Sequence, residues 1–396
     1  MKHRAIIRAS KFAMLGLALA LAGPLAAKEA ELPKAADMLR WQGDAQVSGF
    51  RNIDRIFPVR VVKRGAKVRP LPRADKPITP VLNYEGKTVS IDDYMARERV
   101  AGVLVISKGQ IVLEKYGLGQ KPDDRWISFS IAKSVTSTLL GAAIQDGKIK
   151  SVDDLVTTYI PELKGSAYDG VTLRQVLAMR SGAQWNEDYT DPDSDVGQLA
   201  TSMAENKGAS LVKMMAGRAR AAEPGSRFLY STGESNMVGI IVSRAVGEPL
   251  AEYLSRKIWA PYGFESDASW LTDGGIEIGG CCLNLTLRNY GRLGQFMLDG
   301  GAAGDAPLLP AGWIGDATRS SSAPGETPYG YQWWIPAPGT FAALGIFGQT
   351  VYIDPSRQLV VAQIAAWPAA SGPAYSARRL ALIKGVETSL DAPISE

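Results

Sequence analysis

Strand-like runs stand early and late in this chain, and helical patterns fill the long stretch between them. The early pair is Val100 to Ile106 and Ile111 to Tyr116, rich in β-branched residues, with Lys108-Gly109 as the turn of a hairpin. The late pair is Gln349 to Ile353 and Leu359 to Ala365, with Asp354-Pro355 opening the turn between them. Ile131 to Ile144 is strongly apolar and stops at Asp146-Gly147, the pattern of a helix ended by glycine. Further helical periodicity marks Leu173–Met179, Met237–Val246, Leu250–Ile258 and Arg288–Leu298, and a last amphipathic helix is predicted over Ala377–Leu390. This order predicts a mixed α/β chain of the α+β kind. One antiparallel sheet would draw strands from about 95–145 and 325–392, with a helical subdomain over about 146–324 inserted between them. Together, residues 95–392 would form one domain. Residues 28–94, dotted with Pro58, Pro70, Pro72, Pro77 and Pro80, read as an irregular arm preceding it.

The chain has 396 residues, 46% hydrophobic and 21% charged, which is ordinary for a globular protein. Histidine is the telling absence. The single one, His3, lies in a stretch that reads as a cleavable secretory signal, residues 1–27. Lys2, Arg4, Arg8 and Lys11 form its positive start, Phe12 to Leu21 its apolar run, and cleavage would follow Ala27 or Ala22. That places the mature chain in the periplasm or outside the cell. Without histidine it can run neither a Ser-His-Asp nor a Cys-His mechanism, and it cannot build a His-ligated zinc site. Removing the signal takes four basic residues and no acidic ones, so 44 Lys+Arg against 40 Asp+Glu becomes 40 against 40. The basic balance belongs to the signal, so nothing in the charge points to nucleic acid or to a membrane surface after cleavage. Cys281 and Cys282 are adjacent, where a disulfide of ordinary geometry is hard to close, and read as two small buried apolar residues. No metal and no organic cofactor is indicated.

A hydrolase of this composition needs a base other than histidine. Ser130 and Lys133 stand three apart at the mouth of the first long helix, on one face of it. There the free N–H groups and the positive end of the helix dipole favour developing negative charge. A partly desolvated lysine could take the serine proton. The spacing alone is weak. Ser-x-x-Lys occurs by chance about once in a chain of this composition, it recurs at Ser210–Lys213, and serine is also an ordinary helix N-cap. Two later segments add weight. Pro224 to Gly233 is a turn leading to Tyr230 in a Ser/Thr/Gly stretch. Gly345-Ile346-Phe347-Gly348-Gln349 opens a strand with glycines that let backbone approach a ligand.

In this order the motifs resemble the serine hydrolases of the β-lactamase and penicillin-binding fold, above all the class C β-lactamase-related branch and, within it, the 6-aminohexanoate-dimer hydrolases, which cut short linear nylon oligomers. The resemblance covers about residues 90–390. It rests on Ser128 to Ser134, Met179-Arg180-Ser181-Gly182, Glu187 to Ser194, Gly279-Gly280 with Arg288, and Tyr329 to Trp334. It implies a β-lactamase/transpeptidase-like fold, Ser130 as the acylated nucleophile, Lys133 as its proton acceptor and Tyr230 as a proton shuttle. It also implies an oxyanion hole from the backbone N–H groups of Ser130 and Gln349, a substrate-facing Tyr189 on a loop, and substrate contacts at Phe347 and Gly348.

The departures narrow the substrate. Thr232 stands where β-lactamases and penicillin-binding enzymes carry Asn, and Ile346-Phe347 replaces the Lys-Thr or His of their third motif. Their cation for a β-lactam or D-Ala carboxylate is missing, unless an arginine reaches in from elsewhere. The expected partner is therefore a small linear amide or ester. An esterase, a β-lactamase or D-Ala-D-Ala carboxypeptidase, and a non-catalytic binding protein on the same scaffold stand as alternatives.

Overall fold

Two antiparallel sheets frame the molecule. Their principal strands, in chain order, are β1 (Val59–Val62), β2 (Val100–Ser107), β3 (Gln110–Tyr116), β4 (Arg125–Ile127), β5 (Ala268–Asp273), β6 (Leu283–Thr286), β7 (Phe341–Leu344), β8 (Thr350–Asp354) and β9 (Leu359–Ala365). The computed structural model describes Met1, residues 31–206, Gly208 and residues 211–392. The predicted signal, beyond Met1, and Ser210 of the second Ser-x-x-Lys lie outside the described residues.

The larger sheet runs β7-β8-β9-β2-β3, so strands from both ends of the chain meet at the β9–β2 pairing, as the sequence order predicts. Period-two alternation along β2 serves two cores. Leu104 and Ile106 face one hydrophobic core, while Val103 and Val105 face another that includes Leu382, Ile383 and Val386. Helix α1 is Gly43–Arg51, α2 is Ile131–Gln145, α3 is Thr232–Val246, α4 is Leu287–Leu298 and α5 is Pro373–Asp391. Helix α4 covers the first face of the sheet and α5 the second. Every residue of α2 from Ile131 to Ala143 is buried, which is why its apolar pattern has no polar stripe. Among the described residues no helix is long and apolar enough to cross a membrane.

Two expectations fail. The second sheet, β1-β5-β6-β4, was not legible: three of its strands span four residues or fewer, and β5 and β6 fall in the stretch read as helical. Nor is the arm irregular. It holds α1, β1, a hairpin of Val81–Tyr84 with Lys87–Ser90, and a helix at Ile91–Arg97. These pieces are too short to show periodicity, and tertiary partners hold them, as when β1 pairs with β5.

The arm also reaches the site. Phe50 of α1 is fully buried, with its ring 5.0 Å from that of Phe129 and 5.5 Å from that of Phe347. It therefore packs against the residue immediately before Ser130. Phe50→Ala is expected to cost about 3–5 kcal/mol, as truncation of a large buried aromatic does; a urea midpoint equal to that of the parent would contradict this packing role.

Candidate active site

The chain leaves β4, and the Ser128 N–H donates to the Leu283 carbonyl of β6 at 2.7 Å. Phe129 then takes a left-handed conformation, φ +45°. For a bulky residue that costs about 1–3 kcal/mol, and it persists only where packing over-determines it. The Phe50–Phe129–Phe347 cluster does so. The turn delivers Ser130 to the mouth of α2. Its hydroxyl makes no N-cap hydrogen bond, so the ordinary structural use of serine at that position does not apply.

Lys133 is 1% exposed. Its Nζ donates to Ser130 Oγ at 2.9 Å, Thr232 Oγ1 at 2.9 Å and the Gly280 carbonyl at 2.8 Å. Burial pushes its pKa down to about 8, with the negative charge of Glu187 acting the other way. As an ammonium it satisfies three N–H groups with three oxygens. As an amine it keeps two N–H groups and one lone pair. The Gly280 carbonyl can only accept. The Thr232 hydroxyl gives its hydrogen to Glu187, so its oxygen also accepts from Lys133. Ser130 is the one partner of the three left to give a hydrogen, and the lone pair falls to it.

The sequence places Glu187 in a loop and implies no role for it. It accepts from Thr232 N at 2.9 Å, Thr232 Oγ1, Tyr189 OH at 2.7 Å and Trp185 Nε1. Its signal was the carboxylate beside Tyr189, but only the fold brings that loop to α3. Tyr230 lies with its ring 5.0 Å from Lys133 Nζ and 5.4 Å from the ring of Trp334. Burial, then Glu187, raises its pKa well above the usual phenol value, and a hydrogen bond with Ser130 opposes the shift. Tyr230 is thus a neutral phenol at physiological pH.

Ser130, Glu187, Tyr189, Tyr230 and Trp334 border one cleft of about 420 Å³, and the segment from Leu344 to Ile346 lines it too. Three sequence expectations miss that wall. Gln349 is fully buried and does not line the cleft; its side chain binds the carbonyls of Ile346, Phe347 and Ala365. The Phe347 ring belongs to the aromatic cluster under Ser130. Gly348 is packed against Trp367, where an added Cβ would come within 2.6 Å of the indole. The cleft is lined by residues two to three positions earlier in the chain than the sequence pattern suggests, because a short 3-10 turn at Ile346–Gly348 buries Phe347 to Gln349 before β8 begins.

The cysteines also differ from expectation. They are joined as a vicinal disulfide, Cα atoms 3.4 Å apart, with Cys282 buried and Cys281 half-buried.

The sequence model of the beta-lactamase family, described as Beta-lactamase, matches residues 90–383. The chain belongs to that family and is a hydrolase of its fold. It is 29% identical over 367 residues to the 6-aminohexanoate-dimer hydrolase of Paenarthrobacter ureafaciens, covering 87% of this chain and 91% of that one. A β-lactamase of Pseudomonas fluorescens is 23% identical over 185 residues, 44% of this chain and 48% of its own. A solved Bacillus anthracis protein proposed to be a 6-aminohexanoate-dimer hydrolase superposes with a TM-score of 0.80 at 23% identity, covering 91% of this chain and 98% of that one. The family and fold read from the motifs stand.

One buried acid nearby serves structure. Glu234 of α3 accepts from Ser181 Oγ and, at 3.4 Å, from Tyr168 OH, and burial pushes its pKa up to about 8 against those hydrogen bonds. Between its ordinary value of 4.5 and 8 the folded chain holds a proton that the unfolded chain has released. Stability from this group therefore falls as pH rises through that window, with a slope approaching about 1.4 kcal/mol per pH unit. Glu234→Gln should flatten that loss and raise the melting temperature most at its upper end; parallel Tm-against-pH curves would contradict it.

Proposed function

We propose that this protein is an exported serine hydrolase that cleaves linear amides or esters through an acyl-enzyme on Ser130. What carries the reading is the buried lysine whose lone pair, once it is neutral, has only the Ser130 hydroxyl to meet. Lys133 takes the Ser130 proton as Oγ attacks the carbonyl carbon. Negative charge then develops on the carbonyl oxygen. The backbone N–H groups of Ser130 and Ile346 are assigned to it, because both residues border the cleft and no acceptor within the described residues engages either N–H. Collapse breaks the bond to the leaving nitrogen or oxygen. Tyr230 protonates that atom and recovers its proton from the Lys133 ammonium. Water then repeats the cycle on the acyl-enzyme, with the proton again passing to Lys133 and back to Ser130.

The linear substrate class rests on the apolar third motif, on Tyr189 in the cleft, and on the relation to the dimer hydrolase of Paenarthrobacter ureafaciens. Export rests on the N-terminal signal pattern. A fluorophosphonate probe is expected to add once to the parent protein and not to Ser130→Ala, read by intact mass. Lys133→Ala should slow that labelling by about 100-fold or more, the scale of a lost general base. Well-folded parent protein that takes up no probe would overturn the reading.

A further inference from the structure

The proposed reaction makes no use of Cys281 and Cys282, yet their disulfide stands beside it. The bond joins neighbours in the chain. A disulfide stabilises chiefly by closing a loop in the unfolded chain, and this one encloses no residue between its ends, so its use lies elsewhere. A second, narrow cavity meets the cleft at Ser130, Tyr189 and Ile346, and Thr232, Gly280 and Cys281 line it as well. Cys281 thus borders the space beside the nucleophile, while Cys282 is fully buried.

The pair is coupled to Lys133 through the backbone. Asn236 holds the Gly280 N–H at 2.6 Å, but the Gly280 carbonyl belongs to the next peptide, which it shares with the Cys281 N–H. That unit is planar and rigid, so a rotation at Cys281 swings the carbonyl that accepts from Lys133 Nζ at 2.8 Å. In the disulfide form the plane is set, with the Cys281 N–H donating to the Ile278 carbonyl at 3.1 Å. On the far side both cysteines are anchored to β5. The Cys281 carbonyl accepts from Trp270 Nε1 at 3.0 Å, and the Cys282 carbonyl from the Leu271 N–H at 3.1 Å. The disulfide adds the Cys281 side chain to that anchor. With its carbonyl and its side chain both tied, Cys281 has no freedom left to turn its N–H. Cys282 meanwhile has a φ of +152°, which residues other than glycine rarely adopt. Once the bond is opened, Cys282 can leave that angle and Cys281 can turn.

We propose that Cys281–Cys282 is a thiol-exchange site beside the nucleophile, at which a small dithiol opens the disulfide, releases the Gly280 carbonyl from Lys133 and slows acylation of Ser130. This is a regulation of the hydrolytic site and rests on that reading. One thiolate of the dithiol attacks Cys281 Sγ, the S–S bond breaks and Cys282 leaves as a thiolate. The second thiolate of the reagent then attacks the reagent sulfur of the mixed disulfide, and Cys281 leaves in turn. Two electrons pass from the dithiol, which ends as its own cyclic disulfide, and the two cysteines take up the two protons it gave up. A disulfide oxidant reverses each step.

The test reads the thiols first. Folded protein as isolated should take no iodoacetamide, and after dithiothreitol it should take an adduct on Cys281, located by peptide mass. A second sample, reduced and freed of dithiol without oxygen, is labelled with a fluorophosphonate on the high-pH plateau. Its rate of Ser130 modification should fall about threefold or more, the scale of one lost hydrogen bond, and recover with oxidised glutathione. Cys281→Ser/Cys282→Ser should show the reduced rate and no response to dithiothreitol. The titratable groups facing Lys133 are Glu187 and Tyr230, and neither changes in that variant. Its inflection should nevertheless lie below that of the oxidised parent, because an ammonium that loses an acceptor gives up its proton more easily. Serine does not titrate there, so the shift belongs to the carbonyl and not to a thiolate. Two alkylated cysteines in unreduced, unfolded protein, no adduct after dithiothreitol, or a labelling rate unchanged by reduction overturns the switch while leaving the hydrolase reading intact. An oxidised parent that takes no fluorophosphonate overturns both.

Discussion

A lysine with no access to water must be satisfied by the protein or remain uncharged, and the site is built around that constraint. Three segments far apart in sequence answer it: Ser130 at the start of α2, Thr232 at the start of α3, and the Gly280 carbonyl before β6. The last is held in turn, since Asn236 of α3 accepts the Gly280 N–H at 2.6 Å. Glycine is needed there, because a Cβ at 280 would come within 2.8 Å of the Thr232 carbonyl. The packing of α2 on α3 therefore fixes the lysine and its acceptors in one step.

In the proposed reaction, the same arrangement sets the direction of proton flow. Glu187 does not touch Lys133, yet it fixes which way the Thr232 hydroxyl points and pulls the lysine pKa upward against burial. At pH 7 a group titrating near 8 is about one tenth neutral, enough to act as a base and still able to return the proton. Tyr230, held as a phenol by the same burial and the same carboxylate, complements it as a donor.

Much of this was legible in the sequence. The hairpin of β2 and β3 and the helix after Ser130 are long and periodic, and the structure places them within a residue or two of their predicted bounds. Ser130, Lys133 and Tyr230 stood out because their chemistry is specific and their order matched a family. What failed was local and short. The residues after Gly345 were assigned to a strand edge, but the 3-10 turn buries Phe347 through Gln349 and leaves the cleft wall to Leu344–Ile346. Glu187 could not be found by pattern. A lone carboxylate on a loop looks the same in sequence whether solvated or buried, and only packing brings Glu187 to Thr232.

The most direct test is the pH dependence of acylation, measured as the second-order rate of Ser130 modification by a fluorophosphonate between about pH 6 and about pH 10. The account predicts one rise with its inflection near 8, carried by Lys133 and absent from the residual rate of Lys133→Ala. A flat profile in the parent protein, or the same inflection retained in Lys133→Ala, would contradict it.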